Sequence, residues 1–365
     1  RLDEAIDAVM ASVQEPPHDS SEWVSRLAAL KAHAHTVVGT ARALVDEDPQ
    51  SAQTDVVVWA ETLCATVESH ARDLDMPDTL IRRLTILARS AQAMVGAMDF
   101  GFLFDPRRKL LAIGYRVTDG SLDPGRYDLL ASEARLASFV AIAKGDVPVS
   151  HWFRLGRALT PVELDSVLVS WSGSMFEYLM PALVMRAPAG SLLEQTSRLV
   201  VRRQITYGAE RGVPWGVSES GYNVRDLEMT YQYSSFGVPG LGLRRGLSED
   251  VVIAPYATGL AAMIDPTAAV RNFRRLAAAG ASGAYGFYEA LDYTAPRLPE
   301  AAELAVVRAY MAHHQGMVVV AIANALHDGA MRARFHAEPI VQATELLLQE
   351  RTPRDVAVAR PRAEE

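Results

Sequence analysis

Only two glycines, Gly39 and Gly96, fall in the first 98 residues, although the chain of 365 holds 24. A stretch so poor in the residue that turns the backbone most freely suits long helices. Trp23, Leu27, Leu30, Val37, Ala41 and Leu44 recur there at helical spacing, behind Asp19 with Glu22 three positions later as an entry signal. Further helices are expected from about 55 to 70 and from about 78 to 98. Beyond 99 come most of the glycines and aromatics, with the loops to hold them. The expected division is therefore an N-terminal helical segment, 1–98, packing on a larger domain, 99–354, with a polar tail, 355–365.

The larger part also reads as mostly helical. Residues 100–117 predict one small β-hairpin, two short apolar runs joined by Asp105-Pro106-Arg107-Arg108. Asp123-Pro124, Thr160-Pro161 and Asp265-Pro266 each set an N-cap side chain before a proline, and Thr160 has Glu163 three residues on. These signals place helices at roughly 124–144, 161–184, 190–209, 255–264, 267–279 and 301–328. So many helices with few strands predict an all-α fold. The loops between paired helices point to an α/α barrel or toroid with the 1–98 helices as an extension.

Bulk properties narrow the chemistry. An apolar fraction of 49% supports a substantial core, and a formal charge of −8 argues against nucleic acid or an anionic membrane as partner. A single cysteine, Cys64, excludes an internal disulfide framework and suits a reducing compartment. No apolar run approaches the roughly 20 residues that span a bilayer. Beginning at Arg1 and ending in an Arg/Pro/Glu tail, the chain reads as a piece of something longer. Neither HExxH nor CxxC occurs, and adjacent His313 and His314 would diverge on a helix, so no metal and no cofactor are expected.

The stretch Pro214-Trp215-Gly216-Val217-Ser218-Glu219-Ser220-Gly221-Tyr222 sets one carboxylate among small residues and between two aromatics. Sugars match such a surface, since their C–H faces stack on flat rings while their hydroxyls need polar partners. Standing alone, the motif would read rather as a glycine-rich surface loop with a solvated glutamate. Glu133 shares a predicted helical stripe with Leu130, Ala137 and Val140, where burial would raise its pKa and let it hold a proton. The competing reading is an ion pair with Arg135 or Arg126. Three more stretches mix acids, polar groups and aromatics: 171–178 with Trp171, Glu177 and Tyr178, 285–293 with Tyr288 and Glu289, and 310–317 with His314 and Gln315. Several in one chain point to a polar, aromatic cleft. Glycosidic cleavage needs two carboxyls, one to protonate the leaving oxygen and one to attack or activate water.

From Met98 to about Arg351 the sequence resembles the glucoamylase-like, transglycosylating domain of bacterial cyclic β-1,2-glucan synthases. The likeness is carried by Met98-Asp99-Phe100-Gly101-Phe102-Leu103, Tyr127-Asp128-Leu129-Leu130-Ala131-Ser132-Glu133-Ala134-Arg135, Ser170-Trp171-Ser172-Gly173, Phe176-Glu177-Tyr178-Leu179-Met180-Pro181, the 215–222 loop, Gly286-Phe287-Tyr288-Glu289-Ala290 and Ala312-His313-His314-Gln315-Gly316-Met317. The resemblance implies an (α/α)6 barrel that cleaves linear β-1,2-glucan with retention and closes it into a ring. Carried over, Glu219 matches the nucleophile and Glu133 the acid/base, working through a substrate hydroxyl. It also implies covalent linkage, in the whole protein, to a membrane glucosyltransferase and a phosphorylase-like domain, with this domain on the cytoplasmic side of the inner membrane. Trp171, Trp215, Tyr222, Tyr231 and Tyr288 are the expected stacking residues; Arg135, Glu177, Tyr178, Glu289, His314 and Gln315 are the other expected substrate contacts. The alternatives are an endo-acting β-1,2-glucan hydrolase and a non-catalytic glucan-binding module.

Overall fold

The computed structural model describes residues 1–14, 19–47, 54–75 and 77–352, so the expected tail at 355–365 lies outside the described residues. The chain divides into two compact units, Arg1–Met98 and Asp99–Glu365.

The first unit holds α1 (Leu2–Val13), α2 (Ser20–Glu47), α3 (Thr54–Asp75) and α4 (Pro77–Ala97). The Glu22 N–H donates to Asp19 Oδ1 at 3.0 Å, so the anticipated entry signal operates. Leu27, Leu30, Ala34, Val37 and Ala41 of α2 are buried with Ala60, Cys64 and Val67 of α3, and Ala5 and Val9 of α1 join them. That stripe spacing is what a 3.6-residue period requires.

The second unit is mainly helical, with α5 (Arg135–Lys144), α6 (Met175–Leu179), α7 (Leu192–Glu210), α8 (Pro255–Ala261), α9 (Pro266–Ala278), α10 (Ala312–Leu326), α11 (Ala330–His336) and α12 (Pro339–Gln342). It is not all-α. Small antiparallel sheets punctuate it: β1 (Phe104–Asp105), β2 (Leu110–Ala112) and β5 (Arg126–Tyr127) form one, and β3 (Tyr115–Arg116) pairs with β4 (Ser121–Leu122). Next come hairpins of β6 (Leu159–Val162) with β7 (Asp165–Leu168) and of β8 (Ser220–Arg225) with β9 (Tyr231–Ser234). Last, β10 (Val252–Ile253), β13 (Ala290–Asp292) and β14 (Ala305–Val307) make a second three-stranded sheet, and β11 (Ser282–Gly283) pairs with β12 (Gly286–Phe287).

The departures from the helix forecast have local causes. Asp265 does cap α9, its Oδ1 accepting the Ala268 N–H at 2.8 Å. Asp123 instead accepts from Gly125 at 2.8 Å, an Asx turn that feeds β5, and no helix begins until Arg135. Thr160-Pro161 lies in β6: Leu159, Thr160 and Val162 face inward, Pro161 faces out, and Glu163 turns the hairpin with φ +56°. β-Branched Val162, Val167 and Val169 next to a paired edge outweigh a cap that has no helix to follow it. The helix forecast at 161–184 shrinks to α6, and the one at 301–328 starts at Ala312 after Ala305–Val307 is taken up as β14.

The core of this unit is built on Leu130, Phe139, Trp152, Leu168, Met175, Leu199 and Ile253, each fully buried. Each such side chain contributes roughly 1.5–3 kcal/mol of burial energy before entropy is counted. All seven residues of α8 are buried, so it is a central rod wrapped by neighbours. Gly259 lets it press on α10, since a Cβ there would stand 2.8 Å from Val318 Cγ2. The segment 237–242 lies flat on the Ser172–Gly173 backbone. A Cβ at Gly237 would fall 1.7 Å from the Ser172 carbonyl oxygen, and one at Gly242 2.4 Å from its carbonyl carbon. Those glycines, which match no dinucleotide spacing, serve close approach.

Candidate active site

A cavity of about 390 Å³ opens in the second unit, and Glu133, Glu219, Glu177 and Trp171 share its wall with Tyr127 and Ser132. Most of the wall comes from three chain segments, the stretch 125–133 leading to α5, the stretch 171–177 running into α6, and the loop entering β8, with Ile113 and Ser235 completing it.

Glu133 is on the turn ahead of α5, not inside a helix as expected. Ser132 Oγ accepts the Ala134 N–H and donates to Glu133 Oε2, both at 3.1 Å, which fixes the turn and aims the carboxyl. Burial pushes that carboxyl above the usual range. Hydrogen bonds from its own N–H and from Ser132 pull back, and the Glu177 charge adds to the rise. Neither arginine proposed as an ion-pair partner takes that role. Arg126 is bonded to Asp105 at 3.0 Å. Arg135 is buried and donates to the carbonyls of Ser132, Glu177 and Tyr178 at 3.1, 3.0 and 2.6 Å. Desolvation brings its guanidinium down to about 10. Arg135 therefore braces two loops together and is not part of the cavity wall.

Glu219 sits at the end of a tightly pinned loop. Gln204 clasps Val217 twice, N–H and C=O, at 2.8 Å each. Ser218 Oγ accepts the Phe176 N–H at 3.0 Å, and Tyr256 donates to the Glu219 carbonyl at 3.0 Å. With its only proton spent there, Tyr256 must accept from Ser218, 2.8 Å away. The carboxylate itself receives one side-chain bond, from the Tyr233 hydroxyl to Oε1 at 2.9 Å. Burial raises its pKa, the Tyr233 bond opposes this, and the charges of Glu133 and Glu177 add to the rise. Two carboxyls that hold protons more tightly than usual thus face one cavity. One is free of ion pairing; the other is steadied on one oxygen only.

The remaining expected contacts divide by burial. Trp171 is 60% exposed on the cavity wall. Glu177 also lines the cavity, but its oxygens are filled: Oε1 takes the N–H groups of Trp171 and Ser172, and Oε2 takes the hydroxyls of Ser170 and Ser172 and the Ser174 N–H. It completes the capping box of α6. Trp215, at 3% exposure, is a core residue packed on Gly208, so its expected stacking role is corrected. Tyr178, at 1%, spends its hydroxyl on the Ser170 N–H and the carbonyls of Leu168 and Leu241. Glu289 and His314, at 2% and 1%, bind each other at 3.0 Å and do not line the cavity of Glu133 and Glu219; they border a separate small crevice. Tyr222 is edge-on to Phe236 beneath Arg297, and Tyr231 lies beneath Arg225 at 4.3 Å. Tyr288 and Gln315 border the same small crevice, of about 20 Å³. None of these lines the cavity holding Glu133 and Glu219.

The sequence assigns no role to Tyr127 or Tyr256, and Tyr233 counts there only among the aromatics near Glu219. The charges of Glu133 and Glu219 both raise the Tyr127 hydroxyl, after burial, which places it near the two acids. Its position six residues before Glu133 in a motif already singled out was the available signal. Among the described residues one metal-like cluster, His35, Cys64 and Glu68, occurs in the first unit. Lys31 Nζ stands 3.4 Å from the Glu68 oxygen that an ion would need, so the carboxylate already has a cation beside it.

Residues 126–339, which carry the whole cavity wall except Ile113 and Gly125, match the family model Glycoamylase. The chain belongs to the glycoamylase family. It carries a glucoamylase-type domain, the glycoside hydrolase class whose chemistry two facing carboxyls serve. This glycoamylase chain is also 49% identical over 354 residues to Cyclic beta-(1,2)-glucan synthase NdvB of Rhizobium meliloti (strain 1021). That alignment takes in 96% of the chain and 12% of the length of the relative. Among the described residues no helix is long and apolar enough to cross a membrane.

Proposed function

We propose that this domain is an anomer-retaining transglycosylase that cyclises linear β-1,2-glucan. The observation that carries the reading is the pair Glu133 and Glu219 on one cavity, both raised by burial, with Glu219 held by Tyr233 through Oε1 so that Oε2 is free to attack. Glu219 attacks the anomeric carbon as the glycosidic C–O bond breaks. The leaving oxygen receives a proton that originates on Glu133 and passes through a substrate hydroxyl. A hydroxyl at the chain's own non-reducing end then attacks the glycosyl ester, returns its proton to Glu133 and frees Glu219 as the carboxylate. Water in place of that hydroxyl gives hydrolysis instead. Burial raises the Glu133 pKa and so favours the protonated form that the first step needs. Trp171 offers the exposed ring on which a glucose face stacks.

The name and identity of the rhizobial relative support β-1,2-glucan as substrate. The 12% share supports a place inside a much longer synthase. A membrane glucosyltransferase and a phosphorylase-like domain beside it, and a place on the cytoplasmic face, belong to the proposal through the family resemblance alone. The proposal includes an (α/α)6 barrel arrangement around the site, which rests on the family resemblance; the mostly buried helices α8 and α7 are compatible with it. The test is product mass after incubation with linear β-1,2-glucan. Rings lack one water relative to linear chains of equal length. Ring masses support the proposal, shortened linear chains make the domain an endo-β-1,2-glucanase, and unchanged glucan leaves a binding module.

A further inference from the structure

Behind Glu219 runs a line of side chains that the cleavage chemistry does not itself use. Tyr233 donates to Glu219 Oε1 at 2.9 Å; His314 Nε2 lies 3.4 Å from the Tyr233 hydroxyl; His314 Nδ1 lies 3.0 Å from Glu289 Oε2. The far end is anchored, because Glu289 Oε1 accepts the Gly221 N–H at 3.0 Å. The imidazole is also fixed in plane, stacked on Tyr256 with ring centroids 3.7 Å apart and 15° between planes. Four segments contribute: the loop before β8, β9, the stretch ahead of β13, and α10. Besides Glu289, Tyr233 and Tyr256, the titratable groups facing His314 are Glu219, with which it interacts electrostatically, and His313 on its own helix, with ring centroids 4.1 Å apart.

Counting hydrogens decides how this line is ordered. A carboxylate only accepts, and a phenol has one hydrogen to give. Three bonds between Glu219, Tyr233, His314 and Glu289 therefore need three hydrogens, of which Tyr233 supplies one. With Glu219 ionised, as a nucleophile must be, the other two lie on or beside the imidazole. Either both ring nitrogens carry hydrogen, or Nε2 does and Glu289 holds the other, and in both states Nε2 is a donor. A bare Nε2 would satisfy all three bonds only with the third hydrogen on Glu219 itself. Beside an ionised Glu219, a bare Nε2 would compete with it for the single Tyr233 hydrogen, and the nucleophile would lose its only side-chain partner.

We propose that Glu289 and His314 are positioning residues that keep a hydrogen on His314 Nε2, and that this hydrogen commits the Tyr233 hydroxyl to Glu219 Oε1. The inference rests on Glu219 acting as the nucleophile. Holding Oε1 leaves Oε2 as the attacking atom. It also stabilises the carboxylate as it departs in the second half-reaction, when the C–O ester bond breaks and its electron pair returns to Glu219.

Two measurements test this independently. The first needs no substrate: nitrogen-15 spectra of histidine-labelled protein, with the His314 signals assigned by their loss in His314→Phe, report which ring nitrogens carry hydrogen. A protonated Nε2 is expected in the pH range of activity. A bare Nε2 with hydrogen on Nδ1 alone overturns the inference, whatever the substrate proves to be. The second is kinetic, on linear β-1,2-glucan. Tyr233→Phe and His314→Phe, which keep the ring bodies and hence the packing, are expected to lower kcat about 10–100-fold with KM within about threefold. Tyr233→Phe should also shift the acid limb of kcat/KM to higher pH, because the lost bond is one that lowers the Glu219 carboxyl. Glu289→Gln supplies an amide hydrogen to Nδ1, enforces the same tautomer, and should cost less than about tenfold, whereas Glu289→Ala should match Tyr233→Phe. If both ring variants retain wild-type kcat while Glu219→Gln is inactive, the positioning role falls and the proposed function stands. If wild-type protein leaves the glucan unchanged while Nε2 is protonated, the proposed function falls, and the hydrogen placement on His314 stands without the catalytic role it was assigned.

Discussion

Two stretches of this chain look alike on paper: Trp171 to Tyr178 and Trp215 to Tyr222 each run from tryptophan through serine and glycine to a glutamate and a tyrosine. The fold uses them in opposite ways. In the first, the tryptophan is exposed on the cavity and the glutamate is consumed as a helix cap. In the second, the tryptophan is buried in the core and the glutamate faces the cavity with one side-chain donor. A carboxylate that already accepts five or more hydrogen bonds has no lone pair left for chemistry. One that accepts a single side-chain bond does. The lesson is that the hydrogen-bond count around an acid, rather than its neighbours in sequence, separates a structural glutamate from a reactive one.

Swapping each residue should break the comparison where it is wrong. The largest effect is expected from Glu219→Gln, a loss in kcat of about 10³–10⁵ on linear glucan with the fold intact by circular dichroism. Trp215→Ala should instead act on stability, costing about 3–5 kcal/mol in urea unfolding, because it empties a core site. Glu177→Gln comes next, at about 2–3 kcal/mol, since an amide cannot accept from all the donors aimed at that position. An unchanged urea midpoint there would return Glu177 to the list of substrate contacts. Trp171→Ala should raise KM about 10-fold while leaving the melting temperature within a degree or two, as expected for an exposed stacking residue.

The smallest effect is one of pH. The Glu133 carboxyl is raised in the folded state, so from the ordinary glutamate value of about 4.3 upward the native protein holds a proton the unfolded chain has released. Stability is therefore lost as pH rises through the folded value and is not regained above it. Glu133→Gln should melt higher than wild type at pH 7, and the gain should shrink toward pH 4. A Glu133→Gln protein that melts lower at pH 7 would contradict the burial cost assigned to this acid. Activity has the matching sign: the alkaline limb should follow loss of the Glu133 proton and the acid limb protonation of Glu219.

What the sequence determined by itself is whatever depends on neighbours a few residues away. The helices of the first unit follow from apolar spacing and the absence of glycine, and the starts of α2 and α9 follow from Asp19 and Asp265. Glu219 stood out through the small and aromatic residues around it and Glu133 through an apolar stripe on a helix that does not form there, and both reach the same cavity. Tertiary structure decided the rest. Strand pairing took 159–168 away from a helix that its Thr-Pro signal announced, because a hairpin edge and a β-branched face are satisfied by partners the local sequence does not contain. Burial sent Trp215, Tyr178, Glu289 and His314 inward, and it brought Tyr233 from a separate strand to Glu219. Desolvation and hydrogen-bond geometry are sums over atoms distant along the chain, so they exist only once it has folded.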